Sequence, residues 1–246
     1  MILLVIALIV LTCLLVVFVL ACSKDRYAIP KLVSSITNPI YRYTSLVGNE
    51  PFYKDSLLPE SRMMTKNWKI FRDEALASYK TYSSIKGDMF FEDIVSTQEE
   101  WKKLYIKWHS DIDPVARKKC PKTCAIIEKL PNVKVAMFSV LAPGAKIHSH
   151  KGPYKGCIRY HLGLATPNSS DCFISVDNKI YSWKDGEGIL LDDTFEHWVA
   201  NNTKQTRIIL FADIVRPMSF LGKHINTFIM NNFASITSRD RKSTRL

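Results

Sequence analysis

The chain has 246 residues, with 34 Lys and Arg side chains against 23 Asp and Glu, which gives a formal net charge of +11. Its six cysteines are too few for a dense disulfide framework, and no recognised nucleic-acid-binding motif accompanies the positive charge. We therefore expect no nucleic-acid partner, and a basic surface that is either solvated or attracted to anionic lipid headgroups.

The N-terminal segment, residues 1–22, is almost entirely apolar and has no charged side chain. A membrane-spanning helix needs about 20 such residues, whereas a cleaved signal usually begins with a basic region and has a shorter apolar core. The sequence therefore predicts a transmembrane anchor and a membrane bilayer as partner. Lys24, Arg26 and Lys31 follow the anchor, and this positive flank favours a single-pass protein with a cytoplasmic domain.

Residues 23–58 are mixed in character with prolines spaced through them, so we predict an irregular connector. Apolar residues at helical spacing then predict one amphipathic helix over Pro59–Lys80 and a second, short helix over Cys120–Leu130. Cys120 and Cys124 lie in this second helix, where they are either a disulfide or two buried thiols.

Beyond Val133, short apolar or alternating runs recur between turn residues, which is typical of an all-β sandwich or barrel. Eight strands are predicted, over Val133–Leu141, Lys146–His150, Cys157–Gly163, Cys172–Val176, Lys179–Trp183, Gly188–Leu191, His197–Ala200 and Thr206–Val215. Eight strands suit a jelly roll. A terminal helix over Phe220–Phe233 and a polar, disordered tail over Ser235–Leu246 are expected to follow.

The predicted fold class is therefore mainly β with flanking helices: a double-stranded β-helix (jelly roll, cupin-like) preceded by a transmembrane helix. The expected division of the chain is an anchor at 1–22, a connector at 23–58, a catalytic domain at 59–217, and a C-terminal helix with a basic tail at 218–246.

Two histidines with arginines behind them fall within the β-region: His150 with Arg159 and His161, and His197 with Arg207. Imidazole binds iron, and guanidinium holds a carboxylate through two parallel hydrogen bonds. The pattern predicts an iron site beside a site for an organic acid, as an iron- and 2-oxoglutarate-dependent oxygenase requires.

Strand geometry extends this hypothesis. Alternation places Arg159 and His161 on one face of their strand. If the turn near Asn202 closes a hairpin, His197 lies directly opposite Arg207, although a shift by one residue would put them on opposite faces.

The usual carboxylate of an iron triad follows two residues after the first histidine, where this chain has Gly152. His148 competes with His150 for the ligand role. Asp192 and Asp193 are interpreted as turn or strand-entry residues rather than as the missing carboxylate.

From Asn67 to about Pro217 the sequence resembles the aspartyl/asparaginyl β-hydroxylase family. The matching segments are NWKIFRDEALAS, CPKTCAIIEKLP, LAPGAKIHSHKGPYKGCIRYHLGL and DDTFEHWVANNTKQTRIILFADIVRP. The resemblance implies a jelly-roll dioxygenase that uses Fe(II), with 2-oxoglutarate and O2 as co-substrates. It assigns the catalytic metal ligands to His150 and His197, and the 2-oxoglutarate pocket to Ser139, Arg159, His161 and Arg207. An upstream tryptophan of the family corresponds to Trp101.

The implied reaction is hydroxylation of an unactivated carbon. The anchored layout resembles the bacterial lipid A hydroxylases of the family, so the substrate is either a lipid acyl chain or a peptide hydroxylated at an Asp or Asn β-carbon. The alternative is a non-catalytic, membrane-tethered, cupin-like protein that binds metal or acid without turnover.

Overall fold

The computed structural model describes residues 28–84 and 100–243. Within these residues the α-helices are α1 (Ala28–Thr44), α2 (Pro59–Lys66), α3 (Trp68–Ala77), α4 (Pro114–Lys119), α5 (Pro121–Glu128) and α6 (Phe220–Ser243). The strands are β1 (Phe52–Lys54), β2 (Ser83–Ser84), β3 (Trp101–Trp108), β4 (Asp111–Ile112), β5 (Val133–Leu141), β6 (Lys146–His150), β7 (Cys157–Ala165), β8 (Cys172–Val176), β9 (Lys179–Ser182), β10 (Gly188–Leu191), β11 (His197–Asn201) and β12 (Arg207–Val215).

Two antiparallel sheets face each other. The larger sheet has eight strands in the order β1-β10-β7-β12-β5-β3-β2, with β4 added beside β3, and the smaller has four in the order β6-β11-β8-β9. From β5 to β12 the chain therefore alternates between the sheets at every step except the β8–β9 hairpin. The hairpin turn has Asp177 and Asn178 at φ 50° and 61°, as a type I′ turn requires. This topology is a jelly roll, as the sequence predicted.

Alternation along the strands divides the interior into two cores. On β7, Ile158, Tyr160 and Leu162 face the helices and pack with α2 and α3. Arg159 and His161, between them, face the smaller sheet and the cavity there. The prediction that these two residues share a face is confirmed.

The same alternation runs through the two neighbouring strands. Phe138 of β5 and Leu210 of β12 pack in the core beneath the helices, whereas Met137 and Ile209 pack in the core between the sheets. Each of these strands therefore carries one row of side chains that holds the helices and one row that faces the second sheet.

The helix prediction over Pro59–Lys80 was wrong in one respect, because the segment forms two helices that meet at Asn67. The Asn67 amide donates to the carbonyl of Met63 at 2.8 Å, and this side-chain bond competes with the regular backbone pattern.

The segment Cys120–Leu130 contains α5, with Pro121 at its first position. Cys120 and Cys124 are buried free thiols rather than a disulfide.

The structure also differs from the sequence prediction at both ends. The irregular connector predicted for residues 23–58 was wrong over residues 28–58, which contain α1 and β1, and β1 pairs with β10. Helix α6 continues to Ser243, so the disordered tail predicted from Ser235 was wrong over that stretch.

Within residues 28–84 and 100–243 no helix is long and apolar enough to cross a bilayer. The anchor predicted for residues 1–22 lies outside the described residues.

A buried ionic cluster joins the N-terminal segment to the turn between β10 and β11. The Asp192 carboxylate pairs with Lys155 Nζ at 2.5 Å and with Arg216 Nη2 at 2.6 Å. Arg216 also donates to the hydroxyl of Tyr53 at 3.3 Å, and the backbone N–H of Asp192 donates to the carbonyl of Pro51 at 3.1 Å. One carboxylate therefore pairs with two buried cations and fixes the turn that leads into β11.

We predict that Asp192→Asn lowers the free energy of unfolding by about 3–5 kcal/mol, because Lys155 and Arg216 are left buried without a counter-charge. Urea unfolding at pH 7 measures this loss. The exposed Asp171→Asn is the matched control and is expected to change stability by less than about 0.5 kcal/mol.

The same variant has a pH signature. Burial opposes ionisation of Asp192, but Arg216 and Lys155 outweigh burial and hold its pKa below the ordinary value. Its contribution is therefore complete above about pH 4, the unfolded pKa, and is lost as the pH falls through the lower folded pKa. The stability gap between wild type and Asp192→Asn should close at acid pH; a constant gap would contradict the assignment.

Candidate active site

One cavity opens between the two sheets and comprises about 420 Å³, including the part open to solvent. It is lined by Trp101, Ser139, Ile147, His150, Arg159, His161, Ile174, His197, Val199, Arg207, Ile209 and Phe211. The cavity therefore brings together all six site residues predicted from the sequence, along with Trp101. Its remaining lining is apolar.

His150 and His197 are direct neighbours on adjacent strands. They are register partners in the β6–β11 pair, and their ring centroids are 4.1 Å apart. Each Nδ1 lies near a backbone carbonyl, that of His148 at 2.7 Å and that of Phe195 at 2.9 Å. With Nδ1–H donating to the carbonyl, each ring presents Nε2 as the atom free to bind a metal.

Burial keeps both rings in the neutral form that binds metal. It lowers the pKa of His150 to about 4, with a further contribution from His197, and lowers the pKa of His197 to about 4. The two imidazoles therefore fit a divalent transition metal such as Fe(II). Over the described parts of the chain, no group of three or more His, Cys, Asp and Glu side chains is arranged to hold a metal.

The predicted hairpin between His197 and Arg207 was wrong. β11 belongs to the smaller sheet and β12 to the larger one, so His197 pairs with His150 and Val176, and Arg207 pairs with Leu141. The segment between them crosses from one sheet to the other, as a jelly roll requires. The two side chains line one cavity from opposite sheets rather than from adjacent positions on a hairpin.

Arg207 is a buried cation without an acidic partner among the described residues. Its side chain is 1% exposed; Nη2 donates to Ser139 Oγ at 3.1 Å, and buried Nε has no hydrogen-bond partner. Ser139 Oγ also accepts from Trp101 Nε1 at 2.8 Å. Burial lowers the pKa of Arg207 to about 10, which leaves the guanidinium charged at pH 7. The guanidinium carbon of Arg207 lies 4.6 Å from the ring centre of Trp183.

His161 adds two more unsatisfied polar atoms beside Arg207. Both ring nitrogens are buried and have no hydrogen-bond partner in the described structure. Burial, followed by Arg207 and Arg159, lowers the pKa of His161 well below its ordinary value, so the ring is neutral and can donate one hydrogen bond. Buried polar atoms without partners are rare in native proteins, and here they mark the place where a polar ligand fits.

Arg159 differs from Arg207 because its charge is already balanced. Nη1 pairs with Asp193 at 2.8 Å, and Nε and Nη2 donate to the two oxygens of Asp213 at 2.9 and 3.2 Å. Arg159 lines the cavity, but it is a weaker candidate than Arg207 for holding a carboxylate. The guanidinium also stacks 4.3 Å from the Phe211 ring centre.

Asp193 explains why position 152 is glycine. A Cβ on Gly152 would overlap the Asp193 carboxylate, and the backbone N–H of Gly152 donates to the Asp193 carbonyl at 2.7 Å. The space that a side chain at position 152 would occupy is filled from the turn before β11. Asp193 is thus the turn residue that the sequence predicted, and it also lies next to the strand end that carries His150.

Sequence reasoning missed the contacts that three residues make in the site. Asp193 and Asp213 balance Arg159, and Trp183 packs against Arg207 and His161. All three lie far from these partners along the chain, so no local spacing signals the contact.

Comparison with known proteins supplies the family. A sequence profile described as aspartyl/asparaginyl beta-hydroxylase matches residues 65–217. The chain belongs to the aspartyl/asparaginyl β-hydroxylase family. The resemblance inferred from the sequence is confirmed.

This chain aligns with most of the length of one relative but with a small part of another. It is 32% identical over 197 residues to the ornithine lipid ester-linked acyl 2-hydroxylase of Rhizobium tropici, covering 77% of this chain and 69% of that protein. It is 30% identical over 162 residues to the aspartyl/asparaginyl beta-hydroxylase of Homo sapiens, covering 63% of this chain but 21% of that protein. Among solved structures, a Pseudomonas putida prolyl-4-hydroxylase aligns with a TM-score of 0.45 at 13% identity, over 75% of this chain and 98% of that one.

We predict that His150→Ala and His197→Ala each reduce affinity for Fe(II), or for Co(II) as a spectroscopic substitute, by more than about 100-fold, since even second-shell changes cost roughly 10–100-fold. Calorimetry under anaerobic conditions measures the affinity. His148→Ala is the matched control, because His148 lies on the same strand with its side chain exposed. Equal losses in all three variants would contradict the proposed ligand pair.

Proposed function

We propose that the protein is an Fe(II)- and 2-oxoglutarate-dependent hydroxylase that acts on an acyl chain of a membrane lipid. His150 and His197 hold the metal, and Arg207 holds a carboxylate of the co-substrate. The family membership supports a hydroxylase, and the metal and co-substrate are inferred from the cavity.

The observation that supports this function most strongly is the buried, unbalanced charge of Arg207 in the same cavity as the two histidines. An isolated buried cation is costly unless an anion compensates it. A dicarboxylate that reaches from Arg207 toward His150 and His197 would supply that anion. The unpartnered nitrogens of His161 and the hydroxyl of Ser139 would give it further hydrogen bonds.

The chemistry supplied by bound Fe(II) with 2-oxoglutarate and O2 is oxidative decarboxylation to succinate coupled to hydroxylation of a C–H bond. The residues of the chain bind and orient. His150 and His197 donate Nε2 lone pairs, and Arg207 donates paired N–H groups to the acid. Ser139 accepts from Arg207 and Trp101 and so fixes the direction of the guanidinium. Apolar lining residues exclude water from the reacting centre; they are Ile147, Ile174, Val199, Ile209 and Phe211.

The choice of a lipid substrate is supported by the longer alignment with the ornithine lipid acyl 2-hydroxylase, which spans most of both chains. The almost entirely apolar segment at residues 1–22 favours the same choice, since it would keep the enzyme at a bilayer. A peptide substrate hydroxylated at Asp or Asn is the second candidate, favoured by the relative named for that reaction.

We predict that Arg207→Met raises the KM for 2-oxoglutarate roughly 10- to 150-fold, since a hydrogen bond to a charged group contributes about 1.5–3 kcal/mol. The free energy of unfolding of the metal-free protein should stay equal or rise, because an unbalanced buried charge is removed. Succinate formation and urea unfolding measure the two effects.

Arg159→Met provides the contrast. It leaves Asp193 and Asp213 buried without their cation and is expected to cost about 3–5 kcal/mol of stability. An Arg207→Met protein that loses stability in the same way while keeping its KM would contradict the proposed role.

Absence of succinate from the wild type with Fe(II), 2-oxoglutarate and O2 would favour a protein that binds metal or acid without turnover.

Mass spectrometry of the products distinguishes a lipid substrate from a peptide substrate. Wild-type enzyme is incubated with membrane lipid extract and, separately, with peptides rich in Asp and Asn. We expect one added oxygen on a lipid acyl chain and none on peptide, with chelation of the metal abolishing the product and added Fe(II) restoring it. Oxygen incorporated into peptide alone would overturn the lipid assignment.

A further inference from the structure

The largest exposed apolar side chains of the described residues gather on two helices. Six of the seven most exposed ones lie on α1, at its end, or on α6, and the seventh, Ile180, lies on β9. Tyr43 is 89% exposed and Phe220 is 79% exposed. The six form what we call the helix-pair face: Ile36, Tyr43, Leu46, Phe220, Leu221 and Phe228.

The two halves of the helix-pair face are joined by backbone contacts. The N–H of Ser219 donates to the carbonyl of Thr44 at 2.8 Å, and the N–H of Leu46 donates to the carbonyl of Pro217 at 3.0 Å. Gly222 packs against Thr44 so closely that a Cβ there would overlap it. The end of α1 and the start of α6 therefore form one rigid unit.

Both helices already have a packed inner side. On α1, Thr37 and Tyr41 are buried while Ile36 and Tyr43 are exposed. On α6, Asn226 and Met230 are buried in the same way, while Leu221 and Phe228 are exposed. The exposed apolar side chains are therefore a second, outward stripe that folding of this domain does not require.

The charges around the face suit anionic headgroups. Residues 32–46 and 219–232 contain no Asp or Glu, and the basic Arg42 and Lys223 are exposed. An apolar stripe flanked by basic residues is typical of helices that lie in a membrane interface. The apolar residues 1–22 come shortly before this region in the sequence, and an anchor formed by them would keep the face within reach of a bilayer.

We propose that the helix-pair face docks on the surface of an anionic lipid bilayer. The inference rests on the proposed function, and it adds the surface by which the catalytic domain meets the lipid. It is separate from the apolar segment at residues 1–22, because it concerns the folded domain.

Docking through this face would hold the loop that follows His150 near the bilayer. Asn38 of α1 donates to the Pro153 carbonyl at 2.8 Å and accepts from the Lys155 N–H at 2.9 Å. Asn226 of α6 donates to the Gly156 carbonyl at 2.8 Å. The helix pair and this loop therefore move together, and a lipid held at the interface stays beside the loop.

The test places an environment-sensitive fluorophore on the face of the full-length protein. In a Cys13→Ser, Cys22→Ser background, Phe228→Cys is labelled with a nitrobenzoxadiazole dye and reconstituted in vesicles containing one third phosphatidylglycerol. Ile180→Cys is the matched control, because it is similarly exposed but distant in sequence from both helices. Spin-labelled lipid is the quencher, and protein without an introduced cysteine gives the background.

We expect a blue shift and at least about twofold quenching at position 228, with neither at position 180, because interfacial helices insert about 5–10 Å. Equal responses at both positions, or none at either, would overturn the proposal. So would a blue shift at position 228 that lipid does not quench and that grows with protein concentration, since that result assigns the face to a second copy of the chain.

Succinate formation in the same vesicles separates this proposal from the proposed function. Quenching without turnover would keep the docking surface and remove the hydroxylase. Turnover on a lipid with no quenching at position 228 would keep the hydroxylase and remove the docking surface.

Discussion

The constraint on which the rest of this structure depends is the two-residue alternation of side chains along β5, β7 and β12. One set of positions is apolar and holds the helices against the larger sheet, as Leu162 and Leu210 do. The other set faces the smaller sheet and carries Ser139, His161 and Arg207. Polar groups can remain buried there because the two sheets enclose a cavity rather than a fully packed core. The same register that stabilises the fold therefore positions the candidate site.

Charge balance divides the buried ions into two kinds. Arg159 and Arg216 have carboxylate partners and hold the turn between β10 and β11, through Asp193 and Asp192 respectively. That turn ends at Phe195, whose carbonyl lies 2.9 Å from His197 Nδ1 and orients the ring. Arg207 has no carboxylate partner among the described residues. In the proposed function its positive charge is compensated by the carboxylate of a bound ligand. A scaffold of balanced charges thus surrounds one charge that is available for binding.

Much of this arrangement is local in sequence and could be predicted from it. The strands Val133–Leu141, Lys146–His150 and Gly188–Leu191 have the bounds expected from their patterns, because alternation and turn residues are properties of neighbouring positions. The gathering of the six site residues in one cavity also follows the sequence prediction. The hairpin prediction failed because the β11–β12 segment crosses between the sheets. The ion pairs of Arg159 with Asp193 and Asp213 were not predicted, and both features depend on contacts between distant segments. The break at Asn67 is local, but its side-chain hydrogen bond gives no periodic signal.

The central claim is that two imidazoles from the smaller sheet and one guanidinium from the larger sheet act on a single bound molecule. Anaerobic crystallography of the protein with Mn(II) and 2-oxoglutarate tests this most directly, since anomalous scattering locates the metal. We expect one metal bonded to the Nε2 atoms of His150 and His197, with 2-oxoglutarate bound to that metal and one of its carboxylates hydrogen-bonded to Arg207. A metal bound elsewhere, or a carboxylate held by Arg159 while Arg207 stays without an anion, would contradict it.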